Sequence, residues 1–486
     1  MEDLPELPTL AALENPAPPT VSPSSNKPLV ESPKEPVIAE VLPVPSLPGP
    51  TNAETLKVVP VTPVKTKLTP IQTVVAASAP TMDLQPWASV SSTHAASPME
   101  EITPAAPPAK AERLLSLDAY RGAIMLLMVS GGLGIVQMGE KFPDTVWARI
   151  SPLLKHVPWT GGVPWDMIQP AFMFMVGVAM PFSYAKRIER GESGWQLFFH
   201  ALGRAMVLVL LGVLCSSGAK DVTNWTFTNV LSQIGLGYVF LFLLWRTGTW
   251  GQLLGSLAIL GGYWAWFAHS PLPPPAATTY PEGVFEGFFA HWNMNANVAS
   301  TFDQWFLNRF PRLEPFVASE GGYQTLNFIP SIVTMCMGLM AGRFLQSERT
   351  HAVKVVGLIG VGAAVTVLGI IASDQLCPIV KRIWTPSWVL FSGGIVTILL
   401  ASFYFVVEVL RARWLAWPFA VVGMNSILVY LLSQFSKGWI KERLHQHLEP
   451  DLFKGQFAPM IESGAVLGVI WLLCWYLYRQ RAFLRI

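Results

Sequence analysis

One histidine and one aspartate stand ten positions apart, directly before a long apolar stretch. In KHVPWTGGVPWDMIQPAFMFMVG, residues 155–177, His156 and Asp166 flank a turn whose glycines and prolines can fold the chain back and bring the two side chains together. An imidazole can take a proton from an attacking amine or hydroxyl, and a carboxylate on its other nitrogen fixes the tautomer. The pair predicts a general base, His156, oriented by Asp166 at the edge of a membrane. A histidine there can equally face only headgroups and water, so its role depends on the surrounding residues.

The composition is that of a polytopic membrane protein. Charged residues make up 13% and hydrophobic residues 51% of the 486 positions, whereas an ordinary globular protein has about 25% charged residues. A net charge of +2 provides no broad basic field, so no nucleic acid partner is expected. The cysteines are dispersed, and their spacing predicts neither a disulfide framework nor a metal site. They are Cys215, Cys336, Cys377 and Cys474.

Residues 1–112 predict a disordered, proline-rich segment on the cytoplasmic side. They hold more than half of the chain's 41 prolines and a single aromatic residue, Trp87. Such a composition cannot bury enough apolar surface to fold. The opening MEDLPELPTL lacks the basic region and the apolar core of a signal peptide, so this segment is expected to stay on the side of synthesis, as a tether.

Residues 113–486 predict one all-α, multi-pass transmembrane domain, a bundle of about ten helices. Ten apolar stretches approach the roughly 20 residues that cross a bilayer. Their centres are Leu127, Met173, Val209, Val239, Leu257, Met335, Val365, Val396, Val422 and Ile470. Short loops rich in Lys and Arg predict that both termini are cytoplasmic. His156 and a long loop at about 269–323 then lie on the non-cytoplasmic face, where a loop of that length is expected to cover a site.

Further polar residues in or beside the apolar stretches are candidates for substrate contact. Asp118 and Arg121 have the spacing of a helical ion pair, which is the default expectation, although an arginine there could also meet a phosphate. The other candidates are Asn327, Lys381, Asn425 and Ser426. No phosphate-binding loop, dinucleotide fingerprint, nucleophile elbow or zinc protease motif occurs, so those enzyme classes have no residue support.

Five ordered motifs make residues 114–486 resemble the heparan-alpha-glucosaminide N-acetyltransferase family of multi-pass membrane acyltransferases. They are SLDAYRG at 116–122, the His156 motif at 155–177, IVKRIWTPSWVL at 379–390, GMNSILVY at 423–430 and YRQRAFLRI at 478–486. The resemblance implies that His156 serves in acyl transfer, with Trp159 and Asp166 in family spacing and Trp384 inside a shared motif. It also implies acetyl-CoA, or another acyl-CoA, as a cytoplasmic co-substrate, with no permanently bound cofactor.

The same resemblance implies an amino sugar or other glycan acceptor at the opposite face, a bacterial inner membrane location and a possible homodimer. Two positions depart from the family pattern: Gly132 stands where many members carry asparagine, and Gln233 removes an intramembrane cation. Two rival classes therefore stay open. A transporter or flippase for a glycan or lipid-linked substrate would show flux without acyl transfer, and a non-catalytic envelope scaffold would be indifferent to His156. For an enzyme, the phosphates of CoA are expected to meet cytoplasmic cations at Arg121, Lys186, Arg187 or Arg204.

Overall fold

The computed structural model describes residues 114–218, 220–272 and 285–484, and most of these residues are helical. Apart from two isolated bridges, they contain no β-structure, which confirms the predicted all-α class. The proline-rich segment expected at 1–112 lies outside the described residues. The α-helices are α1 Leu115–Ser130, α2 Ile135–Lys141, α3 Val146–Ile150, α4 Ile168–Glu189, α5 Gly194–Ser217, α6 Val230–Trp245, α7 Thr249–His269, α8 Val298–Leu307, α9 Phe328–Gln346, α10 His351–Gln375, α11 Pro386–Tyr404, α12 Arg413–Gly423, α13 Ser426–Phe435, α14 Lys437–His447 and α15 Ala458–Arg479.

Seven helical segments within the described residues are long and apolar enough to cross a membrane. The pair α12 and α13, bent by 60°, raises that number to eight if it forms one span. All ten predicted centres fall inside α-helices, but the count of ten spans is not confirmed. The two stretches that fall short are α6, which has only 16 residues, and α7, whose Gln252, glycines and tryptophans lower its hydropathy.

Glycines let the central helices pack with their backbones in contact. A Cβ atom at Gly177 of α4 would lie 1.8 Å from the carbonyl oxygen of Met335 in α9, and one at Gly338 would lie 2.0 Å from that of Phe174. Gly122 permits an equally close approach of α1 to α12. Small residues at such crossings are typical of membrane helix pairs, where close packing replaces the hydrophobic effect. The result is a rigid frame around the start of α4.

The chain leaves α1 through a break rich in glycine, in which Leu133 also has a positive φ of +52°. In Gly131–Gly134 three glycines have left-handed backbone angles, and a Cβ at Gly134 would lie 2.5 Å from the carbonyl oxygen of Pro459. After α2 and α3 the chain forms an extended loop. There, the N–H of Gly161 donates to the carbonyl of Ile379 at 2.8 Å. This bond ties the loop that carries His156 to the connection between α10 and α11.

Residues 285–323, called the lobe below, form a folded unit between α7 and α9. The lobe contains the 3-10 turn Gly287–Trp292 and helix α8. Trp292 is fully buried and stacks on Phe267 of α7, with ring centroids 6.4 Å apart. A carboxylate oxygen of Asp303 accepts the backbone N–H of Thr325 at 2.9 Å, just before α9. The described part of the long predicted loop is therefore a folded unit that packs on α7 and is hydrogen-bonded to the residues just before α9.

Candidate functional site

His156, Asp166 and Lys381 form one polar cluster. The Nδ1 atom of His156 lies 2.6 Å from Oδ1 of Asp166, and Nζ of Lys381 lies 3.1 Å from the same oxygen and 3.2 Å from Nδ1. The side chains of Asp166 and Lys381 are 1% and 4% exposed, whereas that of His156 is 44% exposed. The structure thus brings the predicted pair together. It also adds Lys381, which sequence reasoning named as a candidate polar residue but did not assign to this pair.

Asp166 is held from both sides of its carboxylate. It lies in the 3-10 turn Pro164–Met167 that opens α4. Its Oδ2 atom accepts the backbone N–H groups of Val157 and Val163 at 3.4 and 3.3 Å, while Oδ1 faces the imidazole and the ammonium. The proline at the start of this turn suits a first helical position, and the glycines before it allow the chain to reverse. Both carboxylate oxygens are therefore satisfied despite complete burial.

Lys381 is aimed by a strained turn. It begins the short 3-10 segment that ends at Trp384, whose φ of +49° is unusual for a residue with a side chain. The buried indole of Trp384 donates to the hydroxyl of Thr334 at 3.2 Å, and Thr385 then caps α11. A backbone held in such a conformation by its packing is typical of a functional site.

The hydrogen bonds favour one tautomer of His156. The ammonium of Lys381 is a donor only, so it donates to the carboxylate of Asp166. A neutral imidazole carries one proton, and the 2.6 Å contact with the same carboxylate places that proton on Nδ1. Nε2 then keeps its lone pair on the exposed part of the ring. A buried ion pair is stable only when both charges are also hydrogen-bonded, as they are here.

A cavity of about 250 Å³ adjoins His156 and Lys381. Methionine and phenylalanine side chains of α1 and α4 supply much of its apolar wall. Its other polar or amphipathic lining residues are Trp165, Gln169, Tyr323, Tyr430 and Gln434. An apolar pocket with a few convergent polar groups is the usual form of a small-molecule site. This volume suits a small reacting group rather than a whole coenzyme.

The two departures from the family pattern have local physical explanations. Gly132 has a φ of +73°, a left-handed conformation that favours glycine. Gln233 is fully buried, and its side-chain oxygen accepts from the amide of Gln169 at 3.1 Å. No described residue hydrogen-bonds the amide nitrogen of Gln233. This chain therefore presents an amide pair to the cavity through Gln169.

Sequence reasoning missed Tyr323 and Arg382. The guanidinium carbon of Arg382 lies 5.4 Å from the ring centroid of Tyr323. The same group donates to the carbonyls of Gly321 at 2.6 Å and Val157 at 3.2 Å. Arg382 therefore joins the end of the lobe to the segment that carries His156, and Tyr323 closes one side of the cavity. The available signal was the Lys-Arg pair in a connection that the sequence predicts to be non-cytoplasmic, where basic residues are less common.

Trp159 and Asn327 support the site from behind and do not line its cavity. Trp159 is 3% exposed, and its indole donates to the carbonyl of Trp292 at 3.0 Å. A Cβ on Gly322 would lie 2.7 Å from that ring, so the lobe packs directly on it. The side-chain amide of Asn327 donates to the backbone carbonyl of Arg382 at 2.7 Å. Both residues fix the position of the lobe relative to the cluster.

Four other candidates lie away from the cavity. Arg121 and Asp118 form the ion pair that their spacing predicted, at 3.8 Å, near the start of α1. His156 instead lies near the other end of that helix. The side chain of Asn425 bonds the backbone at residues 482–484, at 3.1 and 2.9 Å, which anchors the carboxyl-terminal segment. Ser426 begins α13 beside it.

Three of the four cations expected to meet the phosphates of CoA are engaged within the protein, and the first is Arg121 in its ion pair with Asp118. Arg187 forms an ion pair with Glu192 at 2.9 Å. Arg204 lies over the ring of Tyr238 at 4.9 Å and donates to its hydroxyl at 3.3 Å. Binding a phosphate at any of these positions would require these contacts to break.

These features define a class: a polytopic helical membrane protein in which a half-exposed histidine, bonded to a buried Asp-Lys pair, lines a small cavity. Residues 113–252 match the family model described as "Domain of unknown function (DUF5009)". The chain is 25% identical over 425 residues to the heparan-alpha-glucosaminide N-acetyltransferase of Homo sapiens, which covers 77% of this chain and 60% of the human protein. The Mus musculus protein of the same name is 25% identical over 429 residues, with coverage of 77% and 61%. The chain spans about three fifths of the length of these relatives. It is a distant relative of the heparan-alpha-glucosaminide N-acetyltransferases, which confirms the resemblance found in its motifs.

Proposed function

We propose that this protein is a membrane acetyltransferase. It moves an acetyl or similar acyl group from acyl-CoA to an amine or hydroxyl, and an amino sugar or another glycan is the acceptor. The observation that carries the proposal is the 2.6 Å bond from Nδ1 of His156 to the buried carboxylate of Asp166. It leaves Nε2, which no described residue hydrogen-bonds, on a ring that lines a cavity. The distant relationship to proteins named N-acetyltransferases supports the reaction class.

His156 supplies the base for this reaction. In direct transfer, the acceptor nitrogen or oxygen attacks the thioester carbonyl, Nε2 takes the proton that the acceptor loses, and the carbon–sulfur bond breaks. The proton then passes to the departing thiolate, so CoA leaves as a thiol. In the alternative route, Nε2 attacks the thioester carbonyl and the carbon–sulfur bond breaks, so CoA leaves as a thiolate. The acceptor then attacks the acyl carbon, the acyl–Nε2 bond breaks, and the proton that the acceptor loses passes through Nε2 to the thiolate. Both routes need the same tautomer of the same ring.

Asp166 and Lys381 act by positioning. Asp166 holds Nδ1 and stabilises the positive charge that the ring gains when Nε2 takes a proton. The buried ammonium of Lys381 holds the carboxylate in its ionised form at 3.1 Å. We place this site at the non-cytoplasmic face of a bacterial inner membrane, with acyl-CoA supplied from the cytoplasm, because the short loops rich in Lys and Arg lie at the opposite ends of the helices.

The test uses purified protein in liposomes, radiolabelled acetyl-CoA and a panel of amino sugars. Wild type should transfer label, and His156→Ala should lose about 10³-fold or more of the rate, as triad enzymes do without their base. His447→Ala, on the exposed helix α14, is the matched control and should keep wild-type activity. Glycan flux without transfer by wild type would identify a transporter. Transfer that survives in His156→Ala would remove the proposed base.

A further inference from the structure

A second cavity lies at the far end of α11 from His156. The continuous helical segment Pro386–Val409 has 24 residues, which corresponds to a length of about 36 Å. It starts just after the turn of Lys381, and the second cavity adjoins its other end. That cavity has a volume of about 330 Å³ and is lined by His351, Glu408, Arg411 and Arg413. The two cavities therefore lie at opposite ends of this helical segment.

A strained turn presents two arginines to this cavity. Arg411 has a φ of +56°, in the left-handed region that residues with a side chain seldom adopt. The turn is nevertheless well bonded, because the N–H of Leu410 donates to the carbonyl of Phe405 at 2.9 Å and that of Arg413 donates to the carbonyl of Arg411 at 2.8 Å. Strain that is maintained by surrounding bonds points to function.

The other two lining side chains are anchored, whereas the guanidinium groups are not. Glu408 accepts the backbone N–H of Ser116 at 3.0 Å, and Nδ1 of His351 lies 2.9 Å from the hydroxyl of Tyr404. Among the described residues, nothing forms a hydrogen bond or an ion pair with either guanidinium group of the turn. The cavity is therefore lined by two polar side chains that are hydrogen-bonded within the protein and by two guanidinium groups that are not hydrogen-bonded to any described residue.

We propose that this cavity is a phosphate-binding site in which Arg411 and Arg413 hold the phosphate oxygens. The planar fork of arginine matches phosphate oxygens in pairs, which an ammonium cannot do. Two arginines against one glutamate give the lining a formal net charge of +1, which favours an anion. The phosphate belongs either to a phospholipid headgroup at the membrane surface or to a soluble nucleotide such as the 3′,5′-ADP portion of CoA.

The experiment has one arm for each source and uses the full-length protein. Isothermal titration in neutral detergent measures 3′,5′-ADP binding, and native mass spectrometry from mixed nanodiscs compares retained phosphatidylglycerol with phosphatidylcholine. We expect wild type to bind the nucleotide or to retain the anionic lipid, more weakly as salt increases. Arg411→Gln combined with Arg413→Gln should weaken that binding by about tenfold or more. Arg190→Gln, an exposed arginine outside the cavity, is the matched control and should behave as wild type.

Arg411→Gly separates loss of binding from loss of folding. Glycine adopts a φ of +56° without strain, so this variant should melt no earlier than wild type and still lose affinity. Binding that is equal in wild type and in both cavity variants would overturn the proposal. So would wild-type protein that binds neither the nucleotide nor the anionic lipid at low salt.

Discussion

At the scale of single residues, the members of the His156 cluster differ in burial, and this difference assigns them different roles. Asp166 is completely buried and does not line the cavity, whereas Lys381 lines it but keeps its ammonium on the carboxylate of Asp166. His156 is 44% exposed, which leaves it as the member that can contact a reacting atom. A charge that is buried with its partner is costly to disturb, and this makes the pair a sensitive target for substitution.

Asp166→Asn should reduce the rate of acetyl transfer by about 10³ to 10⁴-fold, because the amide no longer fixes the tautomer of His156. The same change leaves the ammonium of Lys381 buried without its counter-charge, so the free energy of unfolding should fall by about 3–5 kcal/mol. Adding Lys381→Met to Asp166→Asn should recover most of that stability and none of the activity. Thermal unfolding and transfer assays on the three proteins check this. Recovery of activity in the double variant would contradict the assigned roles.

Asp303 in the lobe predicts a pH dependence of stability. Burial raises the pKa of this carboxyl from its ordinary 3.8 to about 6. Between those two values the folded protein keeps a proton that the unfolded chain has released, so the free energy of unfolding decreases as pH rises through this window. The loss is complete above about pH 6 and amounts to about 3 kcal/mol.

Asp303→Asn should remove that penalty while it still accepts the N–H of Thr325. We expect the variant to melt higher than wild type at pH 8 and to match it near pH 4, as measured by scanning fluorimetry in detergent. An advantage of the same size at both pH values would exclude the titration of Asp303 as its cause.

At the scale of elements, Arg382 joins the lobe to the His156 segment. Arg382→Gln removes two backbone hydrogen bonds and the contact with Tyr323. We expect faster proteolysis within the lobe and a transfer rate lower by about tenfold, since each lost charged hydrogen bond is worth roughly 1.5–3 kcal/mol. Arg309→Gln is the control, because Arg309 lies over a ring of the lobe at 5.1 Å but does not reach the site. Equal protease resistance of both variants would argue against this connection.

The α4–α9 crossing predicts a second effect at this scale. Gly338→Ala places a methyl group 2.0 Å from a backbone oxygen of α4, so the helices must separate, and the free energy of unfolding should fall by about 1–3 kcal/mol. Gly360→Ala in α10 meets nothing within 4 Å and should be neutral or slightly stabilising. Melting temperatures of both variants in detergent provide the comparison. Equal melting temperatures would show that the crossing is not tight.

The extent to which sequence predicts this structure depends on separation along the chain. His156 and Asp166 were predicted as a pair because a turn joins them locally. Lys381 was nominated as polar but without a partner, since its contact with Asp166 spans 215 positions. Tyr323 was missed because a periodic pattern reveals membrane helices but not how a mixed lobe folds. The ten apolar centres fell inside helices because hydropathy determines them locally.

At the scale of the whole molecule, helix ends fall into two groups. The first group lies beside the cluster. In it, one hydrogen bond joins the end of α1 to the start of α14, and another joins the start of α4 to the start of α6. The second group joins the start of α1 to the end of α11, and the end of α6 to that of α9. Near the end of α7, the hydroxyl of Tyr263 donates to the carbonyl of Ile383 in the turn of Lys381, beside the first group. Both α6 and α7 run between the two groups, which supports the proposal that each of them is a further crossing.

This topology predicts which introduced cysteines an impermeant thiol reagent can reach in intact cells. Leu313→Cys, at a position 77% exposed in the lobe, should react from outside. Trp414→Cys, at a position 78% exposed near the phosphate-site turn, should react only after the membrane is opened. A fluorescent protein fused after residue 486 should be bright because it folds in the cytoplasm. Labelling of both cysteines in intact cells would contradict the proposed orientation.

The contact between Asp166 and Lys381 also determines when, during translation, the cluster can form. A ribosome that adds about 5–20 residues per second makes the aspartate about 10 to 40 s before the lysine 215 positions later. During that interval the growing chain carries a carboxylate whose counter-charge does not yet exist. A messenger truncated before codon 381 would yield a product that can never neutralise it. The cluster can therefore close only late in translation, and its closure distinguishes a finished chain from a fragment.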